Sequence, residues 1–101
     1  MKAELALALR DAARVVGRVA KGSSLGEELS RVVEAETPKA ALIDITHGTL
    51  RRYGRVQLLV AALSHRPGAD MEVDALLWCA LYALESGRYS DYTVVDQAVR
   101  A

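Results

Sequence analysis

The sequence predicts an all-α fold in one domain, and three observations point there. Apolar residues recur at helical spacing in nearly every segment, no segment alternates apolar and polar residues as a strand does, and Gly, Pro and Ser divide the chain at helix-length intervals. At 101 residues, with 51% hydrophobic and 26% charged side chains, the chain is long enough for one real core and too apolar to be disordered.

Residues 3–20 place Leu5, Leu9, Ala12, Val16 and Val19 on one face and Arg10, Arg14, Arg18 and Lys21 on the other, so the first helix is amphipathic and basic outside. Gly22 stops it. Ser24 followed by Glu27 makes a capping box, and Leu25, Leu29, Val32 and Val33 outline a shorter second helix. Thr37-Pro38 reads as an N-cap with proline at the first helical position. From there Leu42, Ile43, Thr46, Leu50 and Tyr53 share an arc, while Arg51, Arg52 and Arg55 leave from the opposite side. Gly54 is expected to break or kink this helix, after which Val56, Leu59, Val60 and Leu63 carry the stripe to Ser64, and residues 65–68 form a loop. Residues 73–85 are apolar nearly all round, which predicts the most buried helix, ended by Gly87. Val94, Val95, Ala98 and Val99 begin a last amphipathic helix that is still in phase at Ala101. Its apolar face has to find cover in a segment missing from this chain or in a second copy, as a dimer.

Charge is distributed in blocks. Residues 1–22 carry five Lys/Arg against two acids, 23–44 two against five, 45–69 four against none, and 70–101 two against six. A net-neutral chain therefore holds local fields, and the acid-free window with Arg51, Arg52, Arg55, Arg66, His47 and His65 is attractive to phosphate. Arg51, Arg52 and Arg55 read as RNA contacts because no neighbouring acid offsets them; Arg10, Arg14 and Arg18 read either as a solvated face or as further phosphate contacts. Tyr53 belongs to the core arc, while Tyr89 and Tyr92, beside Arg88, are placed to stack on a base or a protein surface.

Other chemistries find little purchase. Cys79 lies in the apolar Trp78-Cys79-Ala80-Leu81 run and reads as a buried thiol rather than a nucleophile. His47 and His65 lack partners at metal-ligand spacing, so no metal site is expected. Gly48 and Gly54 lie within helical pattern, where close packing or a kink explains them better than phosphate binding. The longest apolar run, residues 75–84, is too short for a bilayer, and Glu4, Arg10 and Asp11 interrupt any signal-like start. A soluble cytoplasmic protein is the expectation.

Gly48-Thr49-Leu50-Arg51-Arg52-Tyr53-Gly54-Arg55 resembles the G-x-L-R-x-Y-G segment in the N-terminal domain of bacterial 16S rRNA cytosine-C5 methyltransferases of the RsmB (Sun) family, a domain of the NusB type. Leu81-Tyr82-Ala83-Leu84 with residues 88–99 is similar to a further stretch of that family, and Gly22-Ser23-Ser24-Leu25 to its G-x-S-L after helix one. Ser90 stands where the family has proline. The resemblance implies a NusB-like bundle of about six helices, with the last helix or helices missing. It also implies that this chain is no enzyme by itself and holds no cofactor, because S-adenosylmethionine and the catalytic cysteine belong to an absent catalytic domain. The implied partners are 16S rRNA and that catalytic domain, with no membrane. Two alternatives stay open: a NusB-like antitermination adaptor regulating transcription, which binds RNA with a ribosomal protein, and a structural module that packs on the catalytic domain through the acidic block 70–101.

Overall fold

The computed structural model describes residues 2–32, 37–63 and 71–101. Among them run six helices, α1 (Lys2–Ala20), α2 (Leu25–Ser30), α3 (Lys39–Arg51), α4 (Tyr53–Leu63), α5 (Met71–Ser86) and α6 (Asp91–Arg100), and no strand. The fold is all-α, as the periodicity predicts. Val33, Ser64, His65, Arg66 and the loop expected at residues 65–68 lie outside the described residues.

The core is built on two helices rather than one. α1 packs against α2, α3, α5 and α6, and α5 packs against α1, α3, α4 and α6. Leu9, Ala12 and Val16 of α1 meet Ala75, Trp78, Cys79 and Ala83 of α5 in a single buried cluster. Small residues at this seam let the two backbones approach closely: a Cβ added at Gly17 would stand 3.6 Å from that of Ala75. The apolar character of α5 does not translate into burial all round, since Val73 and Leu77 are exposed. Sequence composition alone placed α5 at the centre; α1 shares that position because its narrower apolar stripe is almost wholly covered.

Punctuation is mostly where the residues put it. The Ser24 hydroxyl accepts the Glu27 N–H at 3.1 Å, capping α2. Gly87, at φ 72°, ends α5 in the left-handed conformation that glycine adopts without steric cost. Ser90 caps α6 by accepting the Thr93 N–H at 3.2 Å.

Four expectations need correction. Thr37 does not cap α3: Pro38 is the N-cap residue, and the buried Thr37 hydroxyl instead donates to Asp11 Oδ2, a charge-assisted bond that gives the buried carboxylate a partner. The break between α3 and α4 falls at Arg52, not Gly54. Its cause is backbone geometry at Arg52 (φ −110°, ψ 23°), while Gly54 sits in the first turn of α4 with open space about it. The buried arc of α3 runs through Leu42, Ile45, Thr46, Gly48 and Thr49, leaving Ile43 exposed; the Thr46 hydroxyl can be buried because it bonds back along the helix, whereas the Thr49 hydroxyl is buried without a hydrogen-bond partner among the described residues. Thr46 does this by donating to the Leu42 carbonyl at 2.8 Å.

The fourth correction concerns α6. Val94 and Gln97 face inward, whereas Val95 and Val99 (82% exposed) face out. Gln97 is fully buried because its amide is satisfied: Oε1 accepts the Ala6 backbone N–H at 3.0 Å and Nε2 donates to Asp96 at 3.1 Å. The bond from Ala6 pins α6 to the start of α1. No helix among the described residues is long and apolar enough to cross a membrane.

Candidate functional site

The six arginines singled out by charge fall into two clefts and one tight ion pair. Arg10, Arg14 and Arg18 repeat every fourth residue along the outer face of α1, so they line one edge of a cleft of about 250 Å³ whose other wall is α2. Two buried carboxylates form its floor. Asp11, 5% exposed, accepts from Arg10 Nε at 3.4 Å and lies 3.9 Å from Arg14 Nη1. Glu28, 2% exposed, accepts from Arg18 Nη1 at 3.4 Å and Arg31 Nη1 at 3.2 Å. Ionised groups at that depth need partners, so part of the arginine charge is spent holding α1 to α2. Four guanidinium groups against two carboxylates still leave the cleft positive, and Arg14, Arg18 and Arg31 remain more than half exposed. Arg31 was missed in the sequence, although its place three residues after Glu28 is the readable sign of such a pair.

The second cleft, of about 410 Å³, is lined by Arg51, Arg52, Tyr82, Ser86 and Arg88. It lies where the C-terminal ends of α3 and α5 meet: Arg51 is the last residue of α3 and Ser86 the last of α5. Among the described residues neither Arg51 nor Arg52 forms a salt bridge. The Arg52 guanidinium stands over the Tyr82 ring, 5.9 Å from its centroid.

Behind this cleft sits Asp44. Its carboxylate accepts from Tyr82 Oη at 2.7 Å, Arg88 Nη1 at 2.9 Å and Tyr89 Oη at 3.0 Å. Burial first, and then the bond to Asp44, push the Tyr89 phenol up to about 12, and the same causes raise Tyr82. Tyr89 is therefore a structural hydroxyl donor and not a stacking platform, contrary to the expectation from its place in a connecting segment; Tyr92 is exposed. Tyr53 is a core residue as expected, packed edge-on against Trp78 with centroids 5.1 Å apart.

Arg55 departs from the sequence reading. It donates from Nε and Nη2 to Glu85, the shorter bond being 2.7 Å, and the two pKa values move apart as that bond requires, Arg55 upward and Glu85 downward. An acid-free window in the chain is not an acid-free neighbourhood, because Glu85 arrives from α5, thirty positions later. Arg51 and Arg52 form no salt bridge among the described residues, although the Glu85 carboxylate also feels the Arg52 charge.

The remaining candidates are quiet. Cys79 is fully buried, and desolvation pushes its thiol up to about 12, the opposite of a nucleophile's requirement. His47 bonds through Nδ1 to the Ile43 carbonyl at 2.9 Å. A Cβ at Gly48 would lie 2.1 Å from Tyr82 Cζ, so this glycine exists for packing, whereas Gly54 has no such neighbour. Among the described residues no three His, Cys, Asp or Glu side chains are grouped to hold a metal ion. No protein-family model, curated protein or solved structure matches the chain.

Proposed function

We propose that this chain is an RNA-binding accessory domain of the NusB type, serving a 16S rRNA cytosine-C5 methyltransferase by holding the rRNA for a separate catalytic domain. The observation that carries the reading is the pair Arg51 and Arg52, two exposed guanidinium groups without a carboxylate partner among the described residues, facing an open polar cleft. The second positive cleft along α1, with Arg10, Arg14 and Arg18, adds a further set of phosphate contacts. Arg55 is held by Glu85 and is left out of the contact set. The methyltransferase assignment rests on the resemblance of residues 48–55, 22–25 and 81–99. S-adenosylmethionine and the reacting cysteine belong to the catalytic domain, and this chain supplies binding and register only.

The test is fluorescence anisotropy of the chain with a labelled single-stranded 16S rRNA oligonucleotide across a fourfold rise in salt. Four phosphates, one each at Arg10, Arg14 and Arg18 and one shared by Arg51 and Arg52, predict a log–log slope of about −2.8 and about a fiftyfold loss of affinity over that range. Exchanging Arg51 and Arg52 for Glu abolishes much of the binding; a complex that ignores salt and both substitutions overturns the proposal.

One observation favours the interdomain packing module as a second reading. Val95 and Val99 on α6, and Val73 and Leu77 on α5, are exposed apolar side chains suited to a protein partner. Binding of the chain to the catalytic domain but not to RNA selects it. The antitermination adaptor is the weaker alternative, since the dense basic signature such an adaptor carries in its first helix is thinner here, Arg10-Asp11-Ala12-Ala13-Arg14, and interrupted by an acid.

A further inference from the structure

We infer that Arg88, held in place by Asp44, completes a three-arginine cradle with Arg51 and Arg52 for one phosphate group, and that Asp44 is its positioning residue. This deepens the RNA-binding proposal and rests on it for the source of the phosphate.

Arg88 is the residue the charge pattern hides. It lies in the acidic third of the sequence, 44 positions from Asp44 and 36 from Arg52, and only the fold brings it to the rim of the cleft that Arg51 and Arg52 line. Its side chain is 67% exposed yet not free to wander. Nη1 is bonded to Asp44, and the backbone N–H donates to Ser86 Oγ at 3.2 Å while Ser86 in turn donates to the Ala83 carbonyl at 2.9 Å. The guanidinium is thus tethered at one nitrogen and presents the others, which is the arrangement that loses least freedom when an oxyanion arrives.

Asp44 is itself fixed more firmly than an ordinary counter-charge. It is nearly buried and takes three donors, two of them tyrosine hydroxyls anchored in or beside the core. Tyr82 links the two halves of the cradle, bonding Asp44 through its hydroxyl and supporting Arg52 with its ring face.

Electrostatics decides the class of ligand. Three guanidinium groups face one carboxylate, and the two helix C-termini add about half a negative charge each. The remainder is positive by about one unit, with the α4 N-terminus at Tyr53 adding to it. A single phosphate fits that balance, and guanidinium forks match its oxygens two at a time. The cleft is polar and open, suited to a phosphodiester passing along the surface or to a small phosphate ion.

The experiment uses the whole chain with ¹⁵N-arginine labelling, titrated separately with inorganic phosphate and with the single-stranded 16S rRNA oligonucleotide, alongside Arg88→Gln and Asp44→Asn. Both ligands are expected to shift the Nε–H signals of Arg51, Arg52 and Arg88 together. Arg88→Gln is expected to weaken RNA binding by about tenfold while leaving the salt slope nearly unchanged, because Arg51 and Arg52 still neutralise the same phosphate. Asp44→Asn separates positioning from charge. It removes a negative charge, so a counter-charge role predicts tighter RNA binding, whereas a positioning role predicts weaker binding and a changed Arg88 signal.

Arg88→Gln leaves Asp44 with both tyrosine donors and keeps the test alive if Asp44→Asn melts early. Salt-dependent RNA binding that is indifferent to Arg88→Gln overturns the cradle and spares the RNA-binding reading. Phosphate shifts at all three arginines without RNA binding overturn that reading and spare the cradle. Tighter binding by Asp44→Asn overturns the positioning role.

Discussion

Gly48→Ala is the substitution whose consequence follows most directly from the packing. A Cβ at that position would lie 2.1, 2.3 and 2.5 Å from Tyr82 Cζ, Cε1 and Oη, far inside van der Waals contact, so the ring has to leave. Overpacking of this kind costs about 1–3 kcal/mol. Displacing the ring also breaks the 2.7 Å bond to the Asp44 carboxylate, about 1.5–3 kcal/mol for a bond to a charged group. Alanine returns about 1 kcal/mol of helix propensity. The balance is a loss of about 3 kcal/mol, or about 12–24 °C in melting temperature for a domain of this size. Thermal melts by circular dichroism at 222 nm measure it, with Gly54→Ala as control, where no atom lies within 4 Å and the expected change is neutral to about 1 kcal/mol stabilising. If Gly48→Ala melts with or above the parent chain, Tyr82 does not cover Gly48 as described. Arg52 leans on that same ring, so under the proposed RNA-binding role Gly48→Ala is also expected to weaken RNA binding.

Three further outcomes follow from particular groups. Cys79 should stay unreactive to a thiol reagent such as DTNB at pH 8 until the chain unfolds, since it is fully buried with its thiol pushed up to about 12; rapid stoichiometric labelling of native protein refutes this. The Tyr89 phenol has its folded pKa raised to about 12 from an ordinary 10, so the folded state holds that proton more tightly and its stabilising contribution, complete below pH 10, is lost as pH rises toward 12. Tyr89→Phe should flatten the fall of melting temperature over that window, and an unchanged profile counts against the Asp44 contact. Thr37→Val keeps shape but leaves the buried Asp11 carboxylate without its hydroxyl donor, a loss of about 1–3 kcal/mol by denaturant melt; a neutral result means that the bond carries no stability.

Much of the architecture was legible because it depends on local rules. The α1 stripe, the Ser24 cap, the Gly87 stop and the core position of Tyr53 each follow from spacing or backbone freedom within one or two turns. Ser90 shows the same economy in a different way: at φ −66° it holds the dihedral a proline ring would fix, and its hydroxyl adds the cap a proline lacks. The misreadings arise where a polar group found its partner across the fold. Thr37 was assigned to a helix end nearby and went to Asp11, 26 positions away. Gln97 was passed over for the core in favour of Val95 and Val99 because no sequence rule announces that Ala6 will offer it a backbone N–H.

The charge blocks carry this argument to the site itself. Read along the chain, the positive and negative segments suggest separate faces, yet the folded protein pairs across and within them: Arg55 with Glu85 and Arg18 with Glu28 join opposite segments, while Arg88 with Asp44 and Arg31 with Glu28 pair among the acidic ones. What remains available to a polyanion is not the sum of a block but the residue left after long-range pairing. That subtraction removes Arg55, held by Glu85 at two nitrogens, thins the α1 row and leaves Arg51 and Arg52 standing; Arg88, held by Asp44 at one nitrogen, joins them from an acidic segment. Asp44 behaves oppositely to its sign: its negative charge lowers the field of the cleft, but by taking three donors it fixes the geometry in which the remaining positive charge is presented. If the proposed phosphate cradle binds by matching oxygens rather than by bulk attraction, fixed geometry outweighs one unit of charge, and a variant with higher net charge and a looser Arg88 is expected to bind RNA less well.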